Sequence, residues 1–198
     1  MFKTQGEVNE ILSALGQQLT EISKEPIDLL ICGGSALNAL GLITRATKDV
    51  DVLAIVSLGA NFGLTLHTAK PLPLNLVQAA KKVARDFKLP EDWINPGPTS
   101  ALDFGLPVGV LDRALVKDYG ASLKVRFLSR YDQIHFKLYA ATDQGGKHYE
   151  DLLALKPTAD ELEKAALWSM THDVSEGYKY NLTRLLITMD HQNVAERI

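Results

Sequence analysis

The chain has 198 residues, a net charge of −3 and one cysteine, Cys32. That length allows one generous domain or a domain with an annex, and the mild acidity argues against a protein that coats nucleic acid through a broad basic field. A single cysteine excludes an internal disulfide. With no apolar run near the ~20 residues of a membrane span and no signal-like start, a cytoplasmic, non-membrane protein is expected.

Val8, Ile11, Leu12, Leu15, Leu19 and Ile22 recur at helical spacing and predict an amphipathic helix over 7–22. The apolar run 27–32 predicts a buried strand, in which Cys32 reads as a small core residue rather than a reactive thiol. A short helix over 35–40 follows the Gly33–Gly34 turn, and the β-branched stretch 50–56 reads as a strand. Residues 57–73 are turn-rich and fit neither pattern. Leu76, Val77, Ala80, Val83, Ala84 and Phe87 give a helix over 74–87 one apolar face. Pro96, Gly97 and Pro98 then force an irregular loop, where Trp93 either walls a pocket or anchors the loop by burial. Along 121–128, Leu123, Val125 and Phe127 alternate with Ser122, Lys124 and Arg126, as in a half-exposed strand. After Ser129 the pattern is helical over 130–142, 149–155, 158–170 and 175–189, and Thr158 with Glu161 forms a capping box. Trp168 is expected in the core of this part. The fold class is therefore α/β (α+β). A mixed sheet flanked by helices occupies 1–128, and a helical part over 129–198 is expected to pack on it as one unit.

The chemistry concentrates in Cys32-Gly33-Gly34-Ser35 followed by Thr47-Lys48-Asp49-Val50-Asp51. Strand residues two apart share a face, so Asp49 and Asp51 are expected to project together while Val50 and Val52 enter the core. Two neighbouring carboxylates repel unless a cation sits between them. Mg²⁺ (or Mn²⁺) suits that place, because it takes one or two carboxylates together with phosphate oxygens. Gly33 and Gly34 allow a sharp turn or close approach to a ligand, and Ser35 is expected as helix N-cap and phosphate donor. Lys48 joins Gly33, Gly34 and Ser35 in the expected nucleotide-binding set. The motif matches neither a dinucleotide fingerprint nor a P-loop. Arg45, Lys48, Lys124, Arg126, Arg130 and Lys137 form either a local basic patch or ordinary solvated charge. Histidines 67, 135, 172 and 191 lack zinc-ligand spacing.

These residues resemble the nucleotidyltransferase (polymerase β-like) superfamily, whose signature is Gly-Gly/Ser followed about ten residues later by Asp-x-Asp/Glu. Within it the chain is most similar to the AbiEii-type branch, which includes toxins of type IV toxin–antitoxin systems, and to uncharacterised bacterial proteins near it. Leu89-Pro90-Glu91-Asp92-Trp93-Ile94-Asn95 resembles a signature of those relatives. The stretches 132–140 and 147–152 resemble their lysine motif and the acidic motif after it. The resemblance covers roughly 25–170 and implies a nucleotidyltransferase-type fold. It implies that Gly34 and Ser35 hold a triphosphate and that Asp49 and Asp51 bind metal. It also implies that Lys137 contacts phosphate, and that Asp151 completes the acidic set or fixes Lys137. By themselves, Lys137 reads as a solvated helix lysine and Asp151 as an ordinary helix N-terminal acid.

The sequence departs from the family in two places. The strand 122–128 has no acid where polymerase-like members place a third carboxylate, so Asp103, Asp112 or Asp151 would have to substitute. His148 stands where the later motif begins with an acid. The implied activity moves NMP from an NTP to a hydroxyl of RNA or tRNA, a protein or a small molecule, with an antitoxin-like protein as a partner. The alternative is a catalytically weak module of the same fold that binds nucleotide or a partner.

Overall fold

A computed structural model describes residues 2–23 and 25–198. Its backbone divides into two compact units, 1–129 and 130–198.

The first unit is built on a mixed six-stranded sheet flanked by helices. Helix α1 (Gln5–Ile22) starts two residues before the predicted boundary, at a reciprocal cap between Thr4 and Glu7. Strand β1 (Ile27–Cys32) leads directly into α2 (Gly33–Ala39), and the chain returns as β2 (Val50–Leu58). β2 runs past its predicted end to form a hairpin with β3 (Leu64–Thr68). Four of the five β3 residues are exposed, and the only apolar alternation, Leu64 and Leu66, is too short to reveal a strand. Helix α3 (Leu74–Phe87) matches its prediction and stops at Lys88 in a left-handed conformation. A two-residue strand β4 (Ile94–Asn95) and a 3-10 helix (Gly97–Phe104) replace the expected irregular loop. Short α4 (Val110–Arg113), edge strand β5 (Leu115–Asp118) and β6 (Leu123–Phe127) complete the unit. β5 was not anticipated, and all four of its residues are exposed.

The strand order is β3-β2-β1-β6-β5, with β4 pairing the start of β2. β1 runs antiparallel to β2 and parallel to β6. One face of the sheet carries Leu29, Ile31, Val50, Val52, Leu123, Val125 and Phe127 into a core shared with α1, α3 and Trp93. A bulge interrupts the β1–β2 ladder: Leu30 lies opposite Ala54, but Ile31 lies opposite Val52. The register beyond it sets Asp51 opposite Cys32, at the mouth of the Gly33–Gly34 turn.

The second unit is helical: α5 (Arg130–Gln144), α6 (Lys147–Ala154), α7 (Ala159–His172), α8 (Glu176–Thr188) and α9 (Gln192–Ala195). The predicted Thr158–Glu161 capping box is present at the start of α7. Trp168 is only half-buried; it packs among the rings of His135, Phe136, Tyr139 and His172. Among the described residues, no helix is long and apolar enough to cross a membrane.

Candidate functional site

The glycines at the end of β1 are fixed by what surrounds them. Gly33 has φ +76°, a left-handed conformation that favours glycine, and a Cβ there would lie 2.2 Å from Asp51 Oδ2. The Asp51 carboxylate is thus set against the Gly33 backbone. A Cβ on Gly34 would fall 2.9 Å from Arg45 Nη2 and 3.1 Å from Thr47 Oγ1. Two bare peptide units are therefore enclosed by a carboxylate, a guanidinium and a hydroxyl.

The loop that carries Arg45, Thr47, Lys48 and Asp49 is held from three sides. Asn38, buried on α2, donates Nδ2 to the Arg45 carbonyl at 2.9 Å. Thr47 exchanges backbone hydrogen bonds with Phe2 at 3.0 and 2.9 Å. Val50 N donates to the Trp93 carbonyl at 2.6 Å. Asp49 lies one residue before β2 rather than on it, and its Oδ1 is 3.4 Å from Thr47 Oγ1. Both aspartates are half-buried, Lys48 is exposed, and Val50 and Val52 are buried as expected.

Asn95 brings β4 to the same corner. Its Oδ1 accepts from Gly97 N at 2.9 Å, which turns Nδ2 toward Asp51 Oδ1 at 3.4 Å. Trp93 places this strand. Its ring is fully buried and donates Nε1 to the Ala80 carbonyl at 3.0 Å, so it anchors the loop by burial and does not wall a pocket. Arg45, Thr47 and Asn95 are site neighbours that motif reasoning did not assign. Thr47 precedes the aspartates and Asn95 ends the Leu-Pro-x-x-Trp stretch, but only the fold brings Asn95 to this corner.

Ser35 does not cap α2. The N-cap is Cys32, which makes no side-chain cap bond, because the helix begins at the glycines themselves. Ser35 sits inside the first turn, fully buried, and its Oγ has no hydrogen-bond partner. A buried orphan hydroxyl costs about 1–3 kcal/mol.

The other expected residues lie in the helical unit and meet each other there. Lys137 Nζ is 2.8 Å from Asp151 Oδ2, with side-chain exposures of 5% and 1%. Lys137 is thus not a solvated lysine, and Asp151 is not an exposed helix-end acid. Lys137 and three more of the six cations weighed as a basic patch or solvated charge are paired with acids. Lys124 pairs with Asp118 at 3.1 Å, Arg126 with Asp28 at 2.8 Å, and Arg130 with Glu161 at 2.6 Å. The hydrogen bond from Arg130 holds the Glu161 carboxyl below its ordinary range.

For a third acid, Asp103 is exposed in the 3-10 helix and Asp112 is exposed in α4. Among the described residues, no group of three or more His, Cys, Asp or Glu side chains can hold a metal ion by itself. Asp49 and Asp51 offer hard oxygen donors of the kind Mg²⁺ prefers, so waters or the oxygens of a ligand would have to complete the coordination. The Gly33–Gly34 backbone carries no side chain that would bar such a ligand. No protein-family profile, curated protein or solved structure matches the chain.

Proposed function

We propose that this chain is a metal-dependent nucleotidyltransferase that moves NMP from an NTP to a hydroxyl acceptor on RNA, protein or a small molecule. The observation that carries the reading is the corner where Asp51 is set against the Gly33 backbone, with Asp49 on the adjoining loop. In this reading the acceptor oxygen attacks the α-phosphorus, the bond to the β-phosphate oxygen breaks, pyrophosphate leaves, and the hydroxyl proton passes to solvent. A bound Mg²⁺ supplies charge neutralisation at the phosphoryl group and the leaving pyrophosphate. Asp49 and Asp51 hold the ion, the Gly33–Gly34 peptides admit the phosphates, and Asn95 orients Asp51. Positioning of this kind is most of what phosphoryl transfer asks of a protein. Asp151 fixes Lys137, the second of the two roles the family resemblance offered it. The toxin–antitoxin assignment rests on that resemblance alone.

One observation favours a second reading, a nucleotide-binding module with little turnover. β6 carries no acid; its outward charges are Lys124 and Arg126, both paired.

Incubation of the full chain with α-labelled NTPs, Mg²⁺ or Mn²⁺, and total RNA and protein separates the two. Label transferred by the wild type and lost in Asp49→Ala and Asp51→Ala supports the enzyme. Metal-dependent NTP binding without transfer supports the module. Transfer at the wild-type rate by both variants overturns the assigned site.

A further inference from the structure

We propose that the open edge at β3, with the apolar corner beside it, is the surface through which two copies of this chain pair. The surface lies at the far end of β2 from Asp51, and the proposal does not depend on the nucleotide reading.

The sheet has two edges, and they are built differently. Among the described residues β3 pairs only with β2, and β5 only with β6. β5 carries charge: Lys117 Nζ donates to Asn9 Oδ1 at 2.8 Å, and Asp118 pairs with Lys124 at 3.1 Å. Charged side chains are a common guard of an edge strand against pairing with another chain. β3 has no such guard. Its sequence is Leu-Thr-Leu-His-Thr, and the whole stretch 52–69 holds no Asp, Glu, Lys, Arg or Pro.

Large apolar side chains gather beside this unguarded edge. Phe62, at the hairpin tip, is 92% exposed and has φ +58°, a left-handed conformation that is costly for a bulky residue. Leu58 and Leu64 pair across the hairpin and are both exposed. Leu64 also lines a cavity of about 330 Å³ with residues 109–112, which brings in the neighbouring Val108, 95% exposed. The 3-10 helix joins the corner through Thr99, whose Oγ1 accepts from Ala69 N at 2.8 Å, and it ends in the exposed Phe104. A specific interface needs about 500 Å² from each partner. Covering Phe62 and Phe104 removes about 250 Å² from water. Leu58, Leu64, Val108 and the main chain of the strand supply the rest.

A second copy is the occupant that fits. Residues opposite each other in an antiparallel pair share a face, so a two-fold axis at Thr65 sets Leu64 of each copy opposite Leu66 of the other. Leucine then meets leucine twice on one face, threonine meets threonine on the other, and no charge is buried between the strands. A two-fold contact closes on itself. Because the β5 edge is guarded, growth stops at two copies.

Sedimentation equilibrium of the full chain across micromolar concentrations is the test, and the wild type is expected to be a dimer. Thr65→Lys and Thr65→Glu each set like charges opposite each other at the axis, and each is expected to weaken the dimer about tenfold or more. An equimolar mixture of Thr65→Lys with Thr65→Glu is expected to restore it, because the axis sets one charge opposite the other. Phe62→Asn suits the left-handed conformation. It is expected to hold or raise the urea midpoint while weakening the dimer, and it carries the test if the Thr65 variants do not fold. Val116→Lys, on the β5 edge, is expected to leave the dimer unchanged. A monomeric wild type overturns the proposal and leaves the edge to a strand of another protein. Assembly beyond two copies overturns it in favour of open-ended stacking. A dimer insensitive to Thr65→Lys and Phe62→Asn, or a Thr65→Lys and Thr65→Glu mixture that stays monomeric, overturns it as well.

Discussion

The two units use the same charged residue types in opposite ways. In the helical unit, Lys137 and Asp151 are closed on each other at 2.8 Å and shielded from water. In the α/β unit, Asp51 and Arg45 lie against the bare backbone at Gly33 and Gly34, Asp49 is on the adjoining loop, and all three are half-buried. The first arrangement is a structural fastener, and the second is the corner on which the proposed function rests. Sequence motifs do not separate the two cases, because both read as acids and bases at suggestive spacings. What separates them is burial and the presence of glycine main chain: the Lys137–Asp151 pair is closed from water, and the corner carries glycine backbone beside half-buried charges.

The sharpest way to break this contrast is to open the fastener. Asp151→Ala leaves a buried ammonium without its carboxylate and is expected to cost about 3–5 kcal/mol in urea unfolding. The double change Lys137→Met with Asp151→Leu should recover most of that loss. A double variant as unstable as the single one would mean that the pair does more than fasten. The next effect concerns the corner. Gly33→Ala forces a left-handed alanine and drives a methyl into the Asp51 carboxylate. A cost of about 1–3 kcal/mol is expected, with a loss of metal-dependent NTP binding larger than the loss of stability. Equal losses would place Gly33 among structural turns. The smallest effect is electrostatic. The Glu161 carboxyl lies below its ordinary 4.5, chiefly through its hydrogen bond from Arg130. Because its folded pKa is depressed, the pair's contribution is present above pH 4.5 and fades as pH falls through the folded value. Glu161→Gln should flatten that part of the acid limb of stability, read as the urea midpoint against pH.

Much of this fold was legible, for reasons that particular residues make plain. Helix α3 is readable because its apolar positions keep one face through four turns. The α7 cap is readable because Thr158 and Glu161 satisfy backbone donors that any helix leaves open. The early start of α1 was hidden by Gly6, a poor helix former inside the Thr4–Glu7 cap. Strand β5 was not readable, since an exposed four-residue edge has no buried face to leave a pattern. At the candidate site, glycines and aspartates were visible as types and spacing. Asn95 and Arg45 were not visible as members, because pairing of β4 with β2 and the fold of the 45–49 loop bring them in. The pairing of Lys124, Arg126, Arg130 and Lys137 was not legible, because charge counted along a chain says nothing about the acid across the strand, as Arg126 and Asp28 demonstrate.

The bulge opposite Leu30 and Ile31 gives β2 two phases. Near its start the core-facing positions are even, Val50 and Val52; past the bulge they are odd, with Ile55 opposite Leu29. Leu53 is the residue at which parity changes, and it is itself buried. The aspartate end of the strand is therefore uncoupled from the hairpin end. Removal of one residue at the bulge would put an unaltered Asp51 in the core. β2 is thus built as two short segments joined by a one-residue clutch, each with its own phase.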